Sequence, residues 1–287
     1  MISIAPECYP CFFRQADLAA LAHGASEAVR LTLAERIASM LRALPAGRTP
    51  AALASDLQAA IRETLGTDDP FEALKRRELA RFDETSRRAL DFVSASSDPL
   101  AAAVGLAALA NIMDSGIIDE AQKNHEIARI EEMAAAFVLP EAFRVQIGRA
   151  QTIGVLLDNA GEAAFDVPLL AWLQRAGKTV WIAAKGGPVI DDITFGEALE
   201  VGLQQYGELL SNGNRAIGTD LGQCSPEFRA RLHAADLVLS KGQGNFETLS
   251  GKLSNCWFLL RCKCPVISRA VGRPEGELLL LESALLA

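Results

Sequence analysis

Near residue 150 the sequence changes its rhythm, and that change constrains the fold more than anything else in it. From about Pro10 to Arg149 it is dense in Ala, Leu, Arg and Glu at helical spacing, with little that reads as strand. Breaks at Pro45 to Pro50, Gly66 to Pro70 and Ser94 to Pro99 divide this stretch into roughly five to seven predicted helices. From Thr152 short apolar runs take over, each followed by helical spacing. Ile153-Gly-Val-Leu-Leu157 precedes Gly161 to Arg175, Thr179-Val-Trp-Ile-Ala-Ala184 precedes a helix at about Thr194 to Tyr206, and Leu237-Val-Leu-Ser240 precedes a helix near Phe246. Trp257 to Leu260 and Leu278 to Leu281 read as further strands. Such alternation predicts an α/β protein with a mainly parallel sheet covered on both faces. The predicted organisation is a helical domain over 1-150 packed on an α/β domain over 151-287.

Half of the 287 residues are apolar, enough for one large core or two moderate ones. The balance of 28 basic against 36 acidic residues, net −8, gives no electrostatic footprint for DNA or RNA, so no nucleic acid partner is expected. An anionic small molecule stays possible where lysines, backbone N–H groups or a cation invert the sign locally. The start, Met1-Ile-Ser-Ile-Ala-Pro-Glu-Cys8, lacks a secretory pattern, and no run is long enough for a membrane span, so a cytoplasmic protein with no membrane partner is expected. In a reducing compartment the six cysteines read as thiols or ligands rather than as a disulfide frame.

The polar residues of the second half collect at strand ends. Asp158-Asn159 ends the first strand, Lys185-Gly-Gly-Pro188 ends the second and leads to Asp191-Asp192, and Lys241-Gly-Gln-Gly-Asn245 ends the strand begun at Leu237. Open parallel sheets bind ligands where the strand order reverses, at carboxyl ends, so these segments are expected to meet there. Two carboxylates and an amide oxygen form a hard donor set suited to Mg²⁺ or Mn²⁺ with waters completing the shell. Asp and Asn also suit a helix cap after a strand, but the strand-end position and the partner at Asp192 favour a site. Gly242 and Gly244 beside Lys241 let backbone approach an anion, and phosphate is the natural guest. Asn245 and Glu247 either cap the following helix or face substrate. Cys8 and Cys11 have the spacing of half a zinc site, which Cys262 and Cys264 complete only if the fold joins the chain ends; packing thiols are the other reading.

Several ordered pieces together resemble one family: Cys8-Tyr-Pro-Cys11 followed by Gln15, Ala110-Asn111-Ile-Met-Asp114, Asp158-Asn-Ala-Gly-Glu162 with Asp166, Pro188-Val-Ile-Asp-Asp192, Ser240-Lys-Gly-Gln-Gly-Asn-Phe-Glu247, and Lys263-Cys-Pro265. They resemble the DUF89 or ARMT1-like proteins, called damage-control phosphatases, in their prokaryotic stand-alone branch. The resemblance implies a Rossmann-like three-layer α/β/α C-terminal domain under the helical one. It implies a divalent metal ion, Mn²⁺, Co²⁺, Ni²⁺ or Mg²⁺, and phosphatase action on small damaged or surplus phosphorylated metabolites. It carries metal ligation onto Asp158, Asn159 and Asp192, the family lysine onto Lys241, and pocket roles onto Asn111 and Asp114; Glu162, one helical turn after Asn159, is expected to orient the amide or a metal-bound water. Asp191 stands where the family often has Asn, and Ala110 where it commonly has Gly. Ala160 stands two residues after Asp158, where aspartyl-phosphate enzymes place a second aspartate, so direct attack by water is expected. Two other classes compete: a Rossmann-like methyltransferase, for which Asp158-Asn-Ala-Gly is a poor cofactor turn, and a metal- or metabolite-binding protein without turnover.

Overall fold

The computed structural model describes residues 2–44, 47–110 and 120–283, with side chains from 127 onward in the last stretch. The first part is helical: α1 (Cys8–Ala22), α2 (Glu27–Arg42), α3 (Pro50–Leu65), α4 (Glu72–Leu79), α5 (Phe82–Ala95), α6 (Pro99–Leu109), α7 (Glu120–Ala135) and α8 (Glu141–Arg149). The starts follow local chemistry. Thr49 Oγ1 accepts from Ala52 N at 3.3 Å with Pro50 opening α3, and Asp98 Oδ1 accepts from Ala101 N at 3.1 Å with Pro99 opening α6. Helix α3 stops at Gly66, whose φ of 67° is the left-handed cap conformation. There are more helices than the breaks predict, partly because α4 and α5 are parted by Ala80-Arg81, a turn with neither glycine nor proline to announce it.

The second part alternates as expected: β1 (Thr152–Leu156), α9 (Ala163–Arg175), β2 (Thr179–Ala184), α10 (Phe195–Glu200), β3 (Glu208–Ser211), α11 (Pro226–Ala234), β4 (Leu237–Lys241), α12 (Gln243–Leu249), β5 (Cys256–Arg261), α13 (Pro265–Val271) and β6 (Leu278–Glu282). The strands form one sheet in the order β3-β2-β1-β4-β5-β6, parallel except that β6 runs against β5. The short edge strand β3 escapes sequence reading because Glu208-Leu-Leu-Ser211 has no alternation long enough to register. Gly154 in β1 makes room for its neighbour: a Cβ there would lie 2.1 Å from the Trp181 ring of β2.

Three apolar clusters organise the layers. The largest joins α5, α6, α9 and residues of α7 and α8 to one face of the sheet, and a second packs α11, α12 and α13 on the other. Helix α6, buried all round, is the centre of the first layer and touches α5, α7, α9, β5 and β6. The largest core therefore runs straight through the change of class near residue 150. A third cluster belongs to α1, α2, α3 and α4, which stand as a cap beside the carboxyl ends of the strands. The strand order reverses between β1 and β4, so the switch crevice opens toward that cap.

Candidate metal centre and substrate cleft

Backbone hydrogen bonds assemble the site from two strand ends. After β1, Leu157 N donates to Ala183 O at 3.0 Å, keeping the chain in register with β2 as far as Asp158. The loop after β2 then folds back: Asn159 and Asp192 form an antiparallel bridge, Ala160 N donates to Asp191 O at 2.8 Å, and Ile193 N donates to Asp158 O at 2.9 Å. Asp158, Asn159, Asp191 and Asp192 are thereby brought to one place, as the sequence predicts. Asn159 precedes the short turn Ala160–Glu162 without capping it through its side chain, so the cap reading of this residue does not hold. Ile190, just before the two aspartates, sits at φ 46°, a left-handed conformation costing roughly 1–2 kcal/mol for a residue with a Cβ. Strain of this kind collects where a loop is over-determined by its surroundings, here at the rim of the cleft.

The charge balance at this point is negative. Burial and the facing carboxylates of Glu162 and Asp192 push Asp158 well above the usual carboxylate range, against weaker pulls from Lys263 and Lys241. Burial also raises Asp192, against Lys185, whose Nζ lies 3.2 Å from Asp192 Oδ2, and against the more distant Lys75. Crowded carboxylates with raised pKa are the electrostatic signature of a place that a cation would relieve. Among the described residues no three His, Cys, Asp or Glu side chains converge in a metal-binding group. The donors that fit are two carboxylates, Asp158 and Asp192, with the Asn159 amide oxygen. Such a sparse all-oxygen set suits an ion that keeps several waters.

Gly242, at φ 80°, explains the glycine after Lys241: a Cβ there would fall 1.9 Å from the Asp158 carboxylate. Its N–H donates to Leu259 O at 2.9 Å, so it gives clearance to Asp158 instead of a free donor for an anion. Gly244 does line the cleft. Asn245 is buried and fully engaged: its Nδ2 donates to Lys241 O at 2.8 Å and Leu157 O at 3.3 Å, and its Oδ1 accepts from Thr219 Oγ1 at 2.7 Å. It braces the ends of β1 and β4 across the switch point. Glu247 faces the cleft, accepts from Gln243 Nε2 at 3.0 Å, and is pushed by burial to about 7.

Lys241 lies behind the carboxylates, with only 1% of its side chain exposed. Its Nζ is 2.8 Å from Glu162 Oε2 and 2.7 Å from Asp166 Oδ1. Burial raises Asp166 to about 7 in spite of that lysine, while the two carboxylates keep the lysine charged. Asn111 and Asp114, expected in the pocket, lie outside the described residues.

Sequence reasoning did not single out Lys75. It is fully buried, 2.7 Å from Asp69 Oδ2 and 2.8 Å from Glu197 Oε1, and Glu197 in turn accepts from Thr194 N at 2.8 Å two residues past Asp192. Its run, Lys75-Arg-Arg-Glu78, reads as a solvated face, yet Lys75 follows the buried pair Phe71 and Leu74 on the inward stripe of α4, which is the signal that was there to find. Lys185, weaker in motif support, is held by Ala216 O at 2.9 Å and by Gly218 O, and aims its ammonium at Asp192.

Asp158, Asn159, Asp191 and Asp192 form part of the wall of a cleft of about 710 Å³ whose other side is α1 and α3. Cys8, Cys11, Cys262 and Cys264 all line it, so the fold does join the two ends of the chain. They are free thiols, burial raises Cys8, Cys262 and Cys264, and no metal-type group forms from them among the described residues.

Residues 4–279 match the family model of the damage-control phosphatase ARMT1-like domain. A damage-control phosphatase of Pyrococcus horikoshii is 31% identical over 223 residues, 76% of each chain. One of Archaeoglobus fulgidus is 30% identical over 237 residues, 79% of this chain and 80% of its own. The crystal structure of a DUF89 family protein from Pyrococcus horikoshii superposes with a TM-score of 0.85 at 28% identity, covering 99% of this chain and 100% of that one.

Proposed function

The chain belongs to the damage-control phosphatase ARMT1-like family, and we propose that it is a divalent-metal-dependent phosphomonoester hydrolase of small phosphorylated metabolites. The observation that carries this reading is the backbone-stitched meeting of Asp158-Asn159 with Asp192 at the switch crevice, where buried carboxylates outnumber the cations that face them. Asp158, Asn159 and Asp192 would hold Mn²⁺, Mg²⁺, Co²⁺ or Ni²⁺. When bound, the ion would neutralise phosphoryl charge and acidify water, which is most of what phosphoryl transfer requires from a protein.

The chain's own groups complete the chemistry. Asp191, beside the ligand pair and facing the cleft, accepts the proton of the attacking water. Lys185 holds Asp192 in place through its ammonium, and Lys241 favours the ionised form of Asp158 from behind. Lys263, exposed on the cleft wall, acts on Asp158 through its charge. Ala160 in place of a second aspartate supports direct attack by water over a phosphoenzyme. The test is a screen of sugar phosphates, nucleotides and cofactor precursors against the four metals, with a chelator control. Hydrolysis of at least one ester, lost with chelator and restored by metal, is the expected result; turnover unaffected by chelation would remove the metal from the reading.

A further inference from the structure

One wall of the cleft carries a polar group that the fold does not use. Helix α3 turns Ala51, Ala54 and Gln58 to the cleft, positions three and four apart and so on one face. The two alanines leave space, and Gln58 reaches into it. Gln58 is 2% exposed, and what little surface it keeps belongs to the cleft. Among the described residues its amide has no hydrogen-bond partner, in contrast to the fully engaged amide of Asn245. The amide is thus held at the cleft surface by the burial of its stem, with no bond to the fold, and its hydrogen-bonding capacity is open to whatever occupies the cleft.

The helix bearing it is firmly placed. Ser55 Oγ accepts from Ile217 N at 2.9 Å, pinning α3 to the loop that runs beside the metal centre. Around Gln58 the wall is apolar, with Phe12 and Phe71, and carries no carboxylate of α3. An amide among small and aromatic side chains both donates and accepts without charge, so it suits an uncharged hydroxyl or carbonyl better than a second phosphate or carboxylate, which can use only its N–H groups and gains no counter-charge from it.

Resting on the phosphatase reading, we propose that Gln58 selects the substrate by hydrogen-bonding an uncharged hydroxyl or carbonyl on the alcohol part of the phosphate ester, while the ester phosphate lies at the metal centre. Gln58 is a specificity residue, making its contact away from the phosphorus.

The experiment compares the wild type with Gln58→Leu, of similar size but without the amide, and Gln58→Met as a second apolar variant. Kinetics with Mn²⁺ use phenyl phosphate, which has no hydroxyl, against the best hydrolysed of a set of hexose, pentose and glycerol phosphates. The ratio of kcat/KM for the hydroxylated ester over phenyl phosphate is expected to fall about 10-fold or more, mostly through KM. Without ligand, both variants are expected to melt within about 2 °C of the wild type, because the amide makes no bond to the fold. An unchanged ratio overturns the proposal. So does a melting temperature lower by more than that margin, or failure of both variants to fold, since either shows the amide supporting the fold. If the wild type hydrolyses neither ester, the phosphatase reading has failed, and the melts alone still judge Gln58.

Discussion

Replacing Lys241 with methionine separates two roles for this lysine that its sequence motif cannot. Its ammonium lies within 2.8 Å of Glu162 and 2.7 Å of Asp166, whose side chains are each 2% exposed. Removing the cation from a buried pair leaves an uncompensated buried charge and costs about 3–5 kcal/mol, much more than the pair contributes over an apolar replacement. Here two carboxylates are stranded, but one has an escape. Asp166 already titrates near 7, so without the lysine it takes up a proton and stays buried as a neutral acid. The cost therefore belongs mainly to one charge, at the lower part of that range, and corresponds to a fall in melting temperature of roughly 6–15 °C for a chain of this size.

The sign of the pH dependence follows. In Lys241→Met the folded Asp166, already raised to about 7 and now without its cation, holds a proton that the unfolded chain releases, so the variant loses stability as pH rises from about 4 through the folded value. Melting curves at pH 5 and pH 8 should show a smaller deficit at the lower pH and the full one at the higher. A double-mutant cycle with Glu162→Gln should recover about 1–3 kcal/mol, since the stranded charge is then gone. A Lys241→Met protein that melts with the wild type at pH 8 but has a raised KM would refute this reasoning and make the lysine a direct phosphate contact.

Asp192→Asn keeps shape and removes one charge from the proposed ligand set, so metal affinity should fall and activity nearly vanish, with part restored by excess Mn²⁺; calorimetric metal titration beside steady-state kinetics checks it, and the double change with Asp158→Asn should recover little. Gly242→Ala drives a methyl group to within 1.9 Å of the Asp158 carboxylate and strains a φ of 80°, so metal affinity should drop at least about 10-fold while circular dichroism stays that of the wild type. Glu247, raised by burial from the ordinary 4.5 to about 7, holds a proton in the folded state that the unfolded chain gives up, so it lowers stability as pH rises through that window. Glu247→Gln should then stabilise the metal-free protein by about 1–3 kcal/mol at pH 8 and by almost nothing at pH 4, read from urea unfolding.

How far the sequence reaches is visible in which residues it placed well. Asp158-Asn159 and Asp192 were legible because strand ends in a parallel sheet are local features, and the crevice rule then brings distant strand ends together without any knowledge of side-chain packing. Residues whose role depends on what lies across a gap were not. Lys241 and Asn245 have the composition of an anion site, yet their partners are Glu162, Asp166 and Thr219, between 26 and 79 residues away, and those partners turn both side chains inward. Lys75 went unnoticed for the same reason, since Asp69 and Glu197 are what make its burial tolerable. Gln58 is the opposite case, an ordinary helix residue in sequence whose meaning comes only from lacking a partner. A polar side chain in a one-dimensional reading is a donor or acceptor without an address. The fold gives most of them addresses inside the protein; a few buried atoms, such as Trp181 Nε1 and Ser240 Oγ, stay without one, and Gln58 differs from these in lining the cleft. The free amide on α3 and the crowded carboxylates at the strand ends, on facing walls of one cleft, are therefore the two ends from which the substrate's chemistry is to be worked out.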